Sequence, residues 1–422
     1  MPRRSFARST ALLVAAWAHL IAPAPAGATL HAQRPGDGGV DPRRLARIDS
    51  TFTALVAQRR IPGVVTLVIR DGRVVHHKAF GTRDMATGAP LRTDDIFRIA
   101  SQTKAITTVA AMMLWEEGRF RLDDPVSRYL PDFEKMTVLD RFEPRDSSFT
   151  TRPARRRMTI RQLMTHSSGL DYADIGSEEM RAIYAKAGIT ALGREGDVLA
   201  ERMRALARLP LRVEPGTRWQ YSLSIELLGR LVEVSSGMPL DRFVRERICV
   251  PLGMADSYFE LPADRRSRLV AMHRDTNGVL FATHDAIERT HPDYPARPMT
   301  YFSGGGGMSG TIGDYARFLR IMMNGGELDG VRLLSRKTVE LMLVDHVPTL
   351  GYPFGLGFAL ETTGNDHETV LTPGSFSWGG AFGTVYWADP KERLIALAYS
   401  NAWGTDVMLE PLFRALVYAA LR

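Results

Sequence analysis

The chain has 422 residues, 45% apolar and 24% charged, with 54 basic against 47 acidic side chains for a net charge of +7. That length supplies core for two or three domains, and the apolar content excludes a disordered, collagenous or coiled-coil chain. A single cysteine, Cys249, excludes a disulfide-stapled scaffold, and its place between Ile248 and Val250 predicts a buried small hydrophobe rather than a nucleophile.

At the start of the chain, Arg3, Arg4 and Arg8 precede an apolar stretch from Ala11 to Ala22, followed by Pro23, Pro25 and the small residues Ala26, Gly27 and Ala28. This order predicts a secretory signal peptide over residues 1–32, cleaved after Ala28 or after Ala32. His19 and Pro23 leave the stretch short of the roughly 20 apolar residues a spanning helix needs, so no stable membrane span is expected. Arg3-Arg4-Ser5-Phe6 also resembles a twin-arginine export signal, and the expected location is periplasmic or secreted. Removing those three arginines lowers the net charge from +7 to +4, too thin a charge to predict a nucleic-acid partner.

Next comes an apolar run from Val64 to Ile69, then Asp71-Gly72, then Val74-Val75 and further strand-like residues to Phe80, the pattern of a two-residue hairpin. Helical periodicity follows over Ser101 to Glu117, Ile160 to Thr165, Ser222 to Ser235, Leu240 to Arg247 and Ile312 to Met323, with glycines or Asn324-Gly325-Gly326 stopping three of them. Arg152, Arg155, Arg156 and Arg157, between prolines and hydroxyl residues, read as a solvated loop. A second hairpin pairs Phe382 to Ala388 with Leu394 to Tyr399, and an amphipathic helix closes the chain from about Thr405 to Leu421. Strands at both ends and helices between them predict an α/β (α+β) fold, an antiparallel sheet flanked by helices with a mainly helical domain inserted. The expected boundaries are 42–420 for the whole domain, about 42–115 and 305–420 for the α/β part, and about 116–304 for the insertion.

Ser101-Gln102-Thr103-Lys104 opens a helix whose body, Ala105, Ile106, Val109, Ala110, Met112, Met113 and Leu114, is apolar almost all round and therefore buried. Residues three apart share a helix face, so the Ser101 hydroxyl and the Lys104 amine point into one cleft. A poorly solvated amine can take or relay the serine proton, and the Ser101 N–H at the helix start can face an oxyanion. Gly305 to Gly310 matches G-x-G-x-x-G, but no strand leads into it and no βαβ pattern surrounds it. It reads instead as a flexible wall of the cleft, with Tyr301, Phe302 and Tyr172 lining it. No G-x-S-x-G elbow and no metal spacing among the ten histidines appear, so neither an α/β-hydrolase triad, a metal nor a cofactor is expected.

Several ordered segments resemble the serine β-lactamase and penicillin-binding family, in its class C and family VIII carboxylesterase branch. They are Phe97 to Lys104, Leu122 to Pro131, Ile160 to Leu170, Tyr221-Ser222-Leu223 ahead of Leu227-Leu228-Gly229, and Pro251 to Met254, within a resemblance running from about Leu45 to the C-terminus. The resemblance implies that Ser101 is the acylated nucleophile and that Lys104 and Tyr221 form its base pair. A phenol suits that work only beside a cation, which Lys104 supplies. His166, in Thr-His-Ser-Ser-Gly, is by the same resemblance structural.

Two departures from the family pattern point to function. Leu223 stands where the family's Tyr-x-Asn has the asparagine that holds a substrate amide, and Trp378-Gly379-Gly380 stands where Lys-Thr-Gly or His-x-Gly is usual. Trp378 offers an apolar wall in place of a cation worth about 1–3 kcal/mol to a bound carboxylate, the two glycines admit substrate close to the backbone, and Ala381 falls at the second oxyanion-hole N–H. The expected substrate contacts are thus Trp378, Gly379, Gly380, Tyr172 and Leu223. The function implied is a serine hydrolase acting on a small-molecule ester or amide, esters above all. The alternatives are a β-lactamase or D-amino-acid peptidase and, from another class, a non-catalytic cell-wall-peptide binding or scaffold protein.

Overall fold

The computed structural model describes residues 39–285 and 291–422, so the expected signal peptide over residues 1–32 lies outside the described residues. Among them no helix is long and apolar enough to cross a membrane. Both ends of the described chain contribute to one seven-stranded antiparallel sheet: β1 (Gly63–Arg70), β2 (Arg73–Asp84), β3 (Ala89–Pro90), β4 (Ala359–Leu360), β5 (Phe376–Gly380), β6 (Thr384–Asp389) and β7 (Leu394–Tyr399). Their order across the sheet is β4-β5-β6-β7-β1-β2-β3, with β7 antiparallel to β1, so the two chain ends meet at its centre.

Strand alternation sends successive side chains to opposite faces and builds two cores. Val64, Val68, Val385, Trp387 and Ala396 face helices α1 (Arg47–Ala57) and α5 (Leu409–Ala419), which contribute Ile48, Phe52, Phe413 and Val417. Val65, Leu67, Ile69, Tyr386, Leu397 and Tyr399 face the other way, into the core shared with α2 (Thr103–Glu116) and α4 (Ile312–Met323), and α3 (Ser224–Ser236) packs against α2. The Asp-Gly turn of the first hairpin takes φ of 52° at Asp71 and 73° at Gly72, the doubly left-handed form that this dipeptide tolerates. Cys249 is buried, and burial pushes its thiol up to about 12.

The stretch between α2 and α4 holds Ile160–Met164, Glu178–Lys186, Leu199–Leu206 and α3, but also two hairpins, Thr137–Glu143 with Ser148–Pro153 and His273–Thr276 with Val279–Ala282. Arg152, expected in a loop, therefore lies in a strand opposite Val138, and its guanidinium pairs with Glu214. Alternating apolar residues are scarce in that hairpin because it is largely exposed, which hid it from a periodicity reading.

The sheet positions the candidate site through its edge. Gly380 at the end of β5 lies so close to Thr384 and to the carbonyl of Ile99, two residues before Ser101, that a Cβ there would sit well inside van der Waals contact with both. At Gly379 the nearest such neighbour is the Thr384 carbonyl at 3.3 Å. Gly380→Ala is therefore expected to lower the unfolding free energy by about 1–3 kcal/mol and Gly379→Ala by clearly less. Urea midpoints of the two variants test this, and equal losses would mean that the close approach at Gly380 is not a constraint.

Candidate active site

Ser101 sits two residues ahead of the α-helix expected to begin with it. Ala100–Gln102 form a single 3₁₀ turn and α2 starts at Thr103. In a 3₁₀ turn residues three apart eclipse, so Ser101 and Lys104 still face the same way. Ala100 has φ of 44°, a left-handed backbone that costs an alanine energy and persists only where surroundings impose it. Here packing against Met272 and Phe382 holds it. Beyond Ser101, Gln102 is fixed by the Tyr315 hydroxyl, which donates to its carbonyl at 2.9 Å, and by the Tyr399 hydroxyl on its side chain.

Lys104 is only 2% exposed. Its Nζ donates to Ser101 Oγ at 3.2 Å, to Tyr172 Oη at 3.3 Å and to the Gly305 carbonyl at 2.6 Å, and lies 4.7 Å from the centre of the Tyr221 ring. The Tyr221 hydroxyl donates to Ser101 Oγ at 2.7 Å. An amine one helical turn away and a phenol 120 positions downstream thus meet at one oxygen. The Tyr172 ring stacks on Tyr221 at 5.1 Å and 13°, and burial first, then Tyr221 and Glu226, hold its phenol well above the usual range, hence protonated.

The glycine run reads differently in space. Gly304 to Gly307 are buried, so they form no flexible outer wall. The run threads between α2 and α3: Thr107 Oγ1 donates to the Gly304 carbonyl at 2.8 Å, and a Cβ on Gly304 would lie 2.8 Å from the Ile225 carbonyl. At Gly305 a Cβ would stand 2.6 Å from Glu226 Oε1 and 3.4 Å from Lys104 Nζ. The glycines are thus what lets a backbone carbonyl reach the buried lysine.

Glu226, absent from the sequence-based set, anchors that run. It accepts from Ser303 Oγ at 2.5 Å, the Gly305 N–H at 2.9 Å and the Tyr301 hydroxyl at 3.1 Å. Burial raises its carboxyl to about 7, against lowering by Ser303, Lys104, Gly305 and Tyr301. Its sequence signal is an acid with apolar neighbours on both sides, Ile225 and Leu227-Leu228. Tyr301 is consequently tied to Glu226 rather than free to line the cleft, and Phe302 packs against Phe259 at 5.8 Å.

Trp378 lies 5.4 Å from Tyr221 and 5.4 Å from Phe354. Trp219 stacks on Tyr352 at 4.2 Å and continues this aromatic wall outward. The Ala381 N–H, next after Gly380, donates to no group among the described residues. Leu223 does not join the others: it is 1% exposed, belongs to the core, and its N–H donates to the Asp171 carbonyl at 3.1 Å. The reason is its place one residue before α3, whose first turn packs inward. His166 is buried with φ of 53°, its Nδ1 is 3.2 Å from Ser222 Oγ, and burial holds its imidazole well below the usual range, so it is neutral; it has no carboxylate partner among the described residues. Among the described residues no group of three or more His, Cys, Asp or Glu is arranged to hold a metal ion. Chemically, the arrangement offers a hydroxyl nucleophile, an amine and a phenol to take its proton, and a free backbone donor nearby.

A family model described as Beta-lactamase matches residues 48–420. Esterase EstB of Burkholderia gladioli is 33% identical over 392 residues, which span 89% of this chain and 95% of that protein. Monacolin J acid methylbutanoyltransferase of Aspergillus terreus is 30% identical over 413 residues, 88% of this chain and 95% of the other. Among solved structures, EstCE1, a hydrolase with promiscuous acyltransferase activity, superposes with a TM-score of 0.78 at 27% identity, covering 89% of this chain and 99% of its own.

Because Glu226 titrates near 7 in the folded chain against 4.5 for an unperturbed glutamate, the folded state holds a proton in that window that the unfolded state has released. Its ionisation therefore withdraws stability as the pH rises from 4.5 to 7, and the loss is complete above that. Relative to the wild type, Glu226→Gln is expected to gain stability between about pH 5 and about pH 8. Urea midpoints at the two pH values measure it, and an unchanged difference would show that Glu226 is an ordinary carboxylate.

Proposed function

The chain belongs to the Beta-lactamase family, and from that premise we propose that it is a serine hydrolase that cleaves carboxylic esters through an acyl-enzyme, with Ser101 as nucleophile and Lys104 and Tyr221 as its base pair. One observation carries the reading: Tyr221 Oη at 2.7 Å and Lys104 Nζ at 3.2 Å from a single Ser101 Oγ. Ser101 Oγ attacks the carbonyl carbon as its proton passes to the Lys104 and Tyr221 pair. The N–H groups of Ser101 and Ala381 receive the oxyanion. The same pair returns the proton to the departing alkoxide, and water then releases the acid. The likeness to EstB and EstCE1 supports an ester substrate, and Trp378, which brings no cation for a substrate carboxylate, argues against a β-lactam or peptide C-terminus.

Acyl transfer to an alcohol from the same acyl-enzyme is a second reading, favoured by the likeness to the methylbutanoyltransferase and by the apolar wall of Trp378, Phe354 and Trp219 beside the nucleophile. Export to the periplasm or medium is a further part of the proposal, resting on the Arg3, Arg4, Arg8 and Ala11-to-Ala28 pattern.

Wild-type protein is expected to hydrolyse p-nitrophenyl butyrate far faster than nitrocefin, and Ser101→Ala to lose at least about a thousandfold of the ester rate. Tyr221→Phe is expected to lose about 10²–10⁴-fold. A Ser101→Ala enzyme as fast as wild type would overturn the nucleophile assignment, and added butanol yielding butyl butyrate would establish the transfer reading. Expressed from the full gene in a bacterial host, the chain should be recovered outside the cytoplasm with a new N-terminus after Ala28 or Ala32. Mass spectrometry of the intact protein decides this, and an unprocessed chain beginning at residue 1 or 2 would count against export.

A further inference from the structure

Lys104 on α2 and Glu226 on α3 are both buried, and the glycine run passes between them. Gly305 serves both: its carbonyl accepts from Lys104 Nζ at 2.6 Å, and its N–H donates to Glu226 Oε1 at 2.9 Å. A Cβ at that residue would lie 2.6 Å from Oε1 and 3.4 Å from Nζ. Carboxyl and amine are therefore within about 6 Å of each other, a range at which charges shut away from water interact strongly. Proton transfer at Ser101 occupies Lys104 and Tyr221 and leaves this carboxyl without a task, although an acid so deeply buried is costly to keep.

Both protonation states of Glu226 fit its surroundings. Ionised, the carboxylate accepts from Ser303, the Gly305 N–H and the Tyr301 hydroxyl. Protonated at Oε2, it can donate to the Tyr301 oxygen instead, while Oε1 keeps its other two donors. It can thus change charge without rearranging the run, and burial places that change near 7. The other groups around it keep one charge there. Tyr301 and Tyr172 are phenols that burial holds well above their usual range, and His166, which faces Lys104, is neutral. Asp197, beyond Tyr301, pairs with Arg202, and Asp174 lies beyond Tyr172.

We infer that Glu226 is a positioning residue for the Lys104 and Tyr221 pair: it fixes the amine through Gly305, and in its ionised form it restrains that pair from taking the Ser101 proton. The inference rests on the assignment of Ser101, Lys104 and Tyr221 under the proposed function. Its sign does not depend on which member of the pair accepts the proton. A nearby anion opposes both the loss of a proton from an ammonium and the formation of a phenolate. At about pH 6 the carboxyl is mostly neutral and the restraint is weak; at about pH 8 the carboxyl is mostly ionised and the restraint is strong.

The test is the second-order rate at which a fluorophosphonate labels Ser101 in the full chain, followed from about pH 6 to about pH 8. This rate reads activation of the nucleophile without requiring an ester. Glu226→Gln keeps an amide oxygen for the Gly305 N–H and removes the charge. Its rate relative to wild type is expected to climb at least about threefold across that range. Glu226→Asp keeps a titrating carboxyl, and its ratio to wild type is expected to stay nearly constant. A role in folding alone would instead change the rate by one factor at every pH. A Glu226→Gln ratio that stays flat or falls overturns the inference, and so does a Glu226→Asp ratio that climbs as steeply. Failure of the underlying assignment looks different: Ser101→Ala labelled as readily as wild type would overturn both readings, whereas a flat Glu226→Gln ratio with Ser101 still the labelled residue overturns this one alone.

Discussion

A lysine ammonium shut away from water needs its stabilisation from the protein, since an unpaired buried charge is strongly unfavourable. Lys104 forms no ion pair among the described residues and is held by a backbone carbonyl, two hydroxyls and a tyrosine face. Each of those groups makes a demand on the fold. The Gly305 carbonyl arrives only because glycines pass between α2 and α3, and the passage stays put because Glu226 receives the Gly305 N–H and the Ser303 hydroxyl. Tyr172 and Tyr221 approach as a stacked pair, so the face that meets the lysine is set by ring packing rather than by either loop alone.

The sheet answers the other half of the problem. A nucleophile on a rigid helix still needs a donor for the oxyanion, and that donor must come from a separate element at short range. The pressing of Gly380 against Ile99 couples the end of β5 to the turn that carries Ser101, while Phe382, next after Ala381, packs on the strained Ala100. The two contacts bracket Ala381. Strain at Ala100 is therefore matched by contacts from the same hairpin that carries the backbone donor.

Local signals in the chain were read well where physics is local. Asp71-Gly72 specifies its turn because both residues tolerate positive φ, and α2 declares its burial by being apolar all round. The meeting of Ser101 with Tyr221, 120 positions apart, is not contained in any local pattern and was legible only through the family resemblance. Glu226 escaped because a helix periodicity cannot tell a solvated acid from one buried against a glycine run. Leu223 was misplaced on the cleft because the motif fixes its position along the chain but not its direction, and the first turn of α3 points it inward. The glycine run misled in the opposite sense: a loop composition suggests exposure, yet glycines also mark where backbones crowd.

The same features bear on which bond the site can break. Cleaving an amide requires a proton delivered to a poor leaving nitrogen, whereas an alkoxide departs with less help. On the proposed reading proton return falls to Tyr221 and Lys104, since Leu223 is turned into the core and His166 is neutral, hydrogen-bonded to Ser222 and without a carboxylate partner among the described residues. Trp378 and Phe354 add apolar surface where a cation would otherwise hold a substrate carboxylate. An apolar wall favours neutral substrates and excludes water from the acyl-enzyme, and both effects work toward esters and toward alcohols as acceptors.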